Sequence, residues 1–228
     1  MARVNLARRA EIGSAKRART RAALLEAARE CYAATSSGSV TVDAVMQAAG
    51  LAKGTFYVHF KDLAELEAEL GAALVEEIDE RLQPARLATR DPLTRLATAM
   101  TIMLRDLAAQ PARARIAAHA AAYIPDVGQA VHLRLREDLA AAQVAGRLML
   151  PSNDLAARIV SAIFVQAAKD LGRSRIDAKA IPDIVRTILR AIGCAPADAA
   201  ARTDQAQRNA DKFAQQLAAS GGGNSSGG

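Results

Sequence analysis

Thr55, Tyr57, His59 and Lys61 place a hydroxyl, a phenol, an imidazole and an ammonium group at every second position of one short stretch, interleaved with Phe56, Val58 and Phe60. Groups of these types hydrogen-bond to phosphate oxygens and to base edges. Lys53 and Gly54 open the same stretch. Catalysis finds no comparable set. His59, His119 and His132 lack the HExxH spacing of a zinc hydrolase, and Gly172-Arg-Ser174 meets Ile176 where GxSxG needs its second glycine. Gly50 to Thr55 gathers glycines, lysine and threonine, but Lys53 precedes Gly54, the reverse of a phosphate loop. Cys31 and Cys194 have no CxxC partner, so neither zinc nor a disulfide framework is indicated. We therefore expect no catalytic residues, no metal and no cofactor.

What must position the polar row is a pair of short helices. Val42, Val45, Met46 and Ala49 recur at i, i+3, i+4 and i+7, one apolar stripe of a helix that begins at Thr41. Thr41 is a good N-cap, and Asp43 adds negative charge at the same end. Gly50 stops that helix. Ala52 to Phe60 then reads as a second helix, with Phe56 and Phe60 at i, i+4 turned inward. Two short helices joined by a tight glycine turn make a helix-turn-helix, whose second member lies in the DNA major groove. Gly54 is a poor helix former, costing about 1 kcal/mol against alanine, which suggests close approach to another backbone.

The segment AGLAKGTFYVHFKDLAEL resembles the signature of the TetR family of bacterial transcriptional repressors: an alanine-glycine turn, Lys-Gly-Thr, an aromatic pair, a further phenylalanine and a charged opening to the next helix. The resemblance covers about Arg17 to Leu70. Where members often carry tyrosine in the last aromatic pair, this chain has His59 before Phe60. Beyond residue 70 the family shares architecture more than sequence. The resemblance implies that an effector entering a pocket below the helix from Asp62 to Leu82 swings two heads to a separation that no longer fits the operator.

Composition and charge agree with a helical DNA-binding protein. The chain has 228 residues, 51% hydrophobic but only 3% aromatic and without tryptophan, an alanine- and leucine-rich balance typical of helices. We expect an all-α fold of about nine helices, a three-helix head followed by a larger helical body. The net charge of +6 resides in residues 1–21, where Arg3, Arg8, Arg9, Lys16, Arg17, Arg19 and Arg21 face only Glu11. A positive arm beside a helix-turn-helix can meet phosphates, with strong salt dependence. No stretch approaches the roughly 20 apolar residues of a membrane span, and no signal-peptide pattern opens the chain, so a cytoplasmic location without membrane contact is expected.

The chain divides into a basic flexible arm (1–15), the DNA-binding head (16–62), an effector-binding and dimerisation body (63–194) and a flexible tail (195–228). The first helix spans Ser14 to about Ala34. Pro84 ends the long helix after Asp62, and Asp91-Pro92 caps the next. Pro111 opens a helix to about Ala122, and another runs from Val127 to about Leu150. In 154–171, Ile159 and Ile163 form one stripe and Val160, Phe164 and Leu171 a second; in 181–192, Val185 and Ile188 are joined by Ile184 and Leu189. Helices apolar over so wide an arc need two partners. Both packing onto a twofold copy would give a four-helix homodimer contact, with recognition helices about 34 Å apart. After Cys194 we expect at most a frayed helix to Leu217.

Arg17, Arg19, Thr20, Thr41, Lys53, Gly54, Thr55, Tyr57, His59 and Lys61 are the expected contacts to a double-stranded operator. Thr55 and Tyr57, with Lys53, are placed nearest bases or phosphates. A small-molecule effector pocket is expected around Met100, Met103, Arg105, His119, Tyr123, Phe164 and Gln166, whose apolar and methionine surface adapts to a guest. The sequence thus points to a homodimeric, sequence-specific transcriptional regulator, most simply a repressor released by its effector. The competing readings are a helical carrier or enzyme with an incidental helix-turn-helix, and a nonspecific DNA binder working through the basic arm alone.

Overall fold

The computed structural model describes residues 2–35, 40–119, 129–148 and 152–221, and among these residues every regular element is a helix. Helix α1 covers Ala2–Ala34. It starts well before Ser14, because in the segment ahead of Ser14 alanine, arginine, leucine and glutamate, strong helix formers, outnumber the weaker Val4, Asn5, Ile12 and Gly13. The expected flexible arm is therefore continuous helical backbone from residue 2.

Helices α2 (Val42–Ala49) and α3 (Lys53–His59) lie across α1. The Thr41 hydroxyl accepts from the Ala44 amide at 3.2 Å, the cap its residue type predicts. Gly50 ends α2 at φ 64°, a left-handed conformation natural to glycine, while the Leu51 amide reaches back to the Met46 carbonyl at 3.1 Å. Phe56 and Phe60 are fully buried with Leu24, Val45 and Leu66, the head's share of one apolar cluster that continues into the body. Helix α4 (Leu63–Arg81) follows at once, capped by Asp62, whose carboxylate accepts from the Glu65 amide at 2.9 Å.

The body adds α5 (Gln83–Leu87), α6 (Pro92–Ala109), α7 (Pro111–Ala117), α8 (Gln129–Val144), α9 (Asn153–Gly172), α10 (Ile181–Ala191) and α11 (Pro196–Gly221). Helix α6 is the axle. Leu93, Leu96, Met103 and Leu107 are buried, and so are Thr98 and Thr101, which spend their hydroxyls on the carbonyls of Thr94 and Ala97 at 2.8 Å. Among the described residues the eleven α-helices exceed the expected nine by α5, where Pro84 sits in the first turn rather than ending the chain's helical path, and by α11.

Helix α11 corrects the expectation of a flexible tail from residue 195. Ala199, Thr203, Ala206, Ala210 and Phe213 recur at heptad-like spacing and are buried, packing this helix on α6. Asn209 donates to the Thr98 hydroxyl at 3.1 Å and Arg202 to Asp91 at 3.2 Å. Small alanines carry little hydropathy signal, which is why the stripe reads poorly in sequence. No helix among the described residues is long and apolar enough to cross a membrane.

Head and body are joined at one corner. The Tyr32 hydroxyl of α1 donates to Glu67 of α4 at 2.5 Å and lies 3.3 Å from the His119 Nε2. Burial, followed by that bond and the Glu67 charge, pushes the Tyr32 phenol well up from its ordinary value. Arg115 of α7 donates to the Tyr32 carbonyl at 2.8 Å and to the Thr35 carbonyl at 2.5 Å, capping the end of α1. Gly172, at the end of α9, leaves room for this arginine: a Cβ there would stand 2.9 Å from the Arg115 amide nitrogen.

Candidate nucleic-acid interface and cavity

The polar row faces water. Tyr57 is 58% exposed and Val58 72%, whereas Phe56 between Thr55 and Tyr57 is fully buried. Helix α3 thus turns Phe56 inward and Tyr57 and Val58 outward, with the other polar groups of the row around that exposed edge. Thr55 and His59 are half-buried at the margin, and Lys61 is exposed. Lys53 is exposed and bridges to Asp43 of α2 at 2.8 Å; the bond to Asp43, then its charge, holds the ammonium above its usual value.

Gly54 departs from the expectation of a close neighbour. A Cβ there would meet nothing within 4 Å, so no backbone of this chain requires glycine. The open side is the exposed face of α3. Arg17 and Arg19 are exposed on α1, and the half-buried Thr20 returns its hydroxyl to the Lys16 carbonyl at 3.1 Å. Thr41 is occupied as the cap of α2.

Arg21 is the functional residue that sequence reasoning missed. Counted there as part of the basic arm, it turns inward: its Nε donates to Glu69 at 3.0 Å, it also donates to the His59 carbonyl, and its guanidinium stacks 4.1 Å over the Phe60 ring. It ties the end of α3 to α1 and α4, so it sets the angle at which α3 is presented. The signal lies in sequence distances of 38 and 48 residues, which no local motif carries.

A second site lies in the body, a cavity of about 100 Å³ between α4, α5, α6, α7, α8 and α9. Met100, Met103 and Phe164 line it as expected, but its polar groups are Asp79, Arg86, His132 and Ser161. Asp79 and Arg86 are buried, and each holds an ion pair, Asp79 with Arg134 and Arg86 with Asp138 at 2.9 Å. Arg95 completes the second pair with a bond of 2.6 Å to Asp138. Burial pushes the Asp138 carboxyl up, against the opposing pull of Arg95 and Arg86. Burial likewise draws the His132 imidazole down, with Arg136 adding to the shift and Asp154 opposing it.

The remaining expected pocket residues lie elsewhere. Arg105 pairs with Asp211 and Gln207 of α11, both at 2.6 Å. His119 stands at the head-body corner, 3.4 Å from Glu67, and Gln166 is exposed on α9, donating to Asp170 at 2.9 Å. Tyr123 lies outside the described residues. These side chains were chosen for polarity at helical spacing, but their own helices turn them to other partners.

Residues 24–70 match the family model described as bacterial regulatory proteins, tetR family. The head is what matches this family. The match begins within α1 and ends within α4, taking in both short helices and their turn. Among solved structures, RolR in complex with resorcinol superposes with a TM-score of 0.63 at 23% identity, over 83% of this chain and 95% of RolR. The fatty acid degradation regulator FadR of Bacillus halodurans gives 0.55 at 17% identity, over 73% and 96%. NalD of Pseudomonas aeruginosa, the secondary repressor of a multidrug efflux pump, gives 0.51 at 21%, over 76% and 96%. These likenesses concern the fold of head and body together. No curated protein matches the sequence.

Proposed function

We propose that the chain is a homodimeric, sequence-specific transcriptional repressor that leaves its operator when a small molecule occupies the body cavity. The observation that carries the reading is the outward face of α3, with Tyr57 in water above a sealed Phe56–Phe60 core and open space at Gly54. A duplex backbone could fill that space, which accounts for a glycine that the fold does not demand. Thr55, Tyr57 and Lys53 then contact bases and phosphates, and Arg17, Arg19, Thr20, His59 and Lys61 hold the phosphate backbone.

Dimerisation is argued from α9. Leu155 is 44% exposed, and Ile159, Ile163 and, on α10, Ile184 are only partly buried, an apolar strip suited to an isologous contact. Helix α10 contributes less than its sequence suggests, because Ile188, Leu189 and Ile192 are already buried within the subunit.

Release is argued from α4. Ala72, Val75 and Asp79 of α4 line the cavity, while Glu67 and Glu69 of the same helix hold Tyr32 and Arg21 of α1. A guest touching α4 therefore acts on the element that presents the head. RolR was solved with resorcinol, which supports reading this cavity as an effector site. The guest works by population shift, only as far as it prefers the non-binding state.

Gel shifts with DNA from upstream of the protein's own reading frame, against random competitor at fixed salt, test the reading. Retention against excess competitor, lost in Tyr57→Ala, is expected. Equal displacement by both DNAs would leave only the basic-arm alternative.

A further inference from the structure

The cavity's polar groups are sorted in a way that specifies its guest. Asp79 is 1% exposed, and its Oδ2 takes both Gln83, at 3.0 Å, and Arg134; its Oδ1 has no donor among the described residues. Arg86 gives one nitrogen to Asp138, and its other guanidinium donors have no acceptor among the described residues. The lining thus offers a spare charge-assisted acceptor and spare charge-assisted donors; Asp79 shares Arg134 with Glu76 and Arg86 shares Asp138 with Arg95, so the two clusters together hold three negative and three positive charges. A carboxylate guest would face Asp79, and an ammonium guest Arg86; either would bring an uncompensated charge into a site whose charges already balance. A hydroxyl suits both, since it donates to one and accepts from the other. The rest of the lining is apolar, and Met100, Met103 and Phe164 offer sulfur and ring surface that favours an aromatic face or edge. The space of about 100 Å³ is of the same order as a cavity that takes up one benzene ring.

We propose that the cavity binds an uncharged, ring-sized hydroxylated aromatic, a phenol or dihydroxybenzene, with a hydroxyl bridging Asp79 and Arg86 and the ring against Met100, Met103 and Phe164. This deepens the effector reading above and rests on it only in calling the guest an effector. His132 and Ser161, on the same wall set, add neutral partners for a second hydroxyl.

Isothermal titration calorimetry of the purified full chain, without DNA, tests the proposal with four probes: phenol, 1,3-dihydroxybenzene, benzoate and benzylamine. One dihydroxybenzene per chain, bound at least about tenfold tighter than benzoate and benzylamine, is the expected result. Asp79→Asn should weaken it by about tenfold while benzoate gains. Should that variant fail to fold, Val75→Phe fills the space from a half-buried position, and loss of dihydroxybenzene binding is expected. Binding of either charged probe as tightly as the hydroxylated ones, binding of none, or full affinity in Val75→Phe would overturn the assignment. The gel shift keeps the two readings apart: operator preference without any probe binding ends this assignment alone, whereas probe binding without operator preference ends only the regulator reading.

Discussion

The head and the cavity keep their polar groups in opposite states, and the contrast is what the two proposed partners, a duplex and a small molecule, would require. On α3 the hydrogen-bonding groups stand in water around Tyr57, and the one ion pair there, Lys53 with Asp43, is exposed and cheap to exchange for phosphate. In the body, Asp79, Arg86 and Asp138 are buried in two ion-pair clusters, Asp79 and Glu76 on Arg134 and Arg86 and Arg95 on Asp138, whose charges balance only when taken together. The first arrangement suits a large, highly charged, hydrated partner, and the second a small neutral one. A surface of the first kind is tuned by salt and a cavity of the second kind by shape and hydrogen bonding.

The contrast is most sharply broken by removing a buried charge. Asp138→Ala leaves Arg86 and Arg95 without their shared carboxylate, and a loss of about 3–5 kcal/mol is expected in urea unfolding. A loss below about 1 kcal/mol would mean that the body's charges are solvated like those of the head. Tyr57→Ala should reduce operator affinity by about 1–3 kcal/mol, the range of a specific base contact, with helicity and unfolding midpoint unchanged. Parallel loss of helicity would make Tyr57 a packing residue.

Gly54→Ala separates stability from binding within the head. With nothing within 4 Å of the new Cβ, the variant should gain up to about 1 kcal/mol of stability from helix propensity while operator binding falls. Unchanged binding would remove the duplex from that space. The smallest effect concerns His132, whose folded pKa lies below the ordinary imidazole value because of burial. Below that ordinary value the unfolded chain takes up the proton first, so stability falls as pH drops through it and levels off once the folded form titrates too. His132→Gln should flatten that slope, read from unfolding midpoints between about pH 7 and pH 5. A slope that survives the substitution would assign it to another group.

The two sites also differ in how far they can be read from sequence. The head is encoded locally: Thr41, Gly50, Phe56 and Phe60 lie within twenty residues, and cap, turn and inward pair are each visible in residue type. The cavity is assembled from six helices, and its paired charges are separated by 52 residues for Arg86 and Asp138. Apolar spacing found Met100, Met103 and Phe164, because burial follows periodicity. It did not find Asp79 or Arg86, because a charge on a mostly apolar helix face looks like solvation until its partner is known. Arg21 failed for the same reason, and α11 because a stripe of alanines is weakly hydrophobic.

Hydroxyl-radical footprinting of the native chain on its operator tests the central claim most directly, since it reads the geometry of the α3 face on the duplex. The account predicts two protected patches on one side of the DNA, one helical turn of about 10 base pairs apart, both lost in Tyr57→Ala. Uniform protection along the duplex, or a single patch that Tyr57→Ala leaves intact, would contradict it.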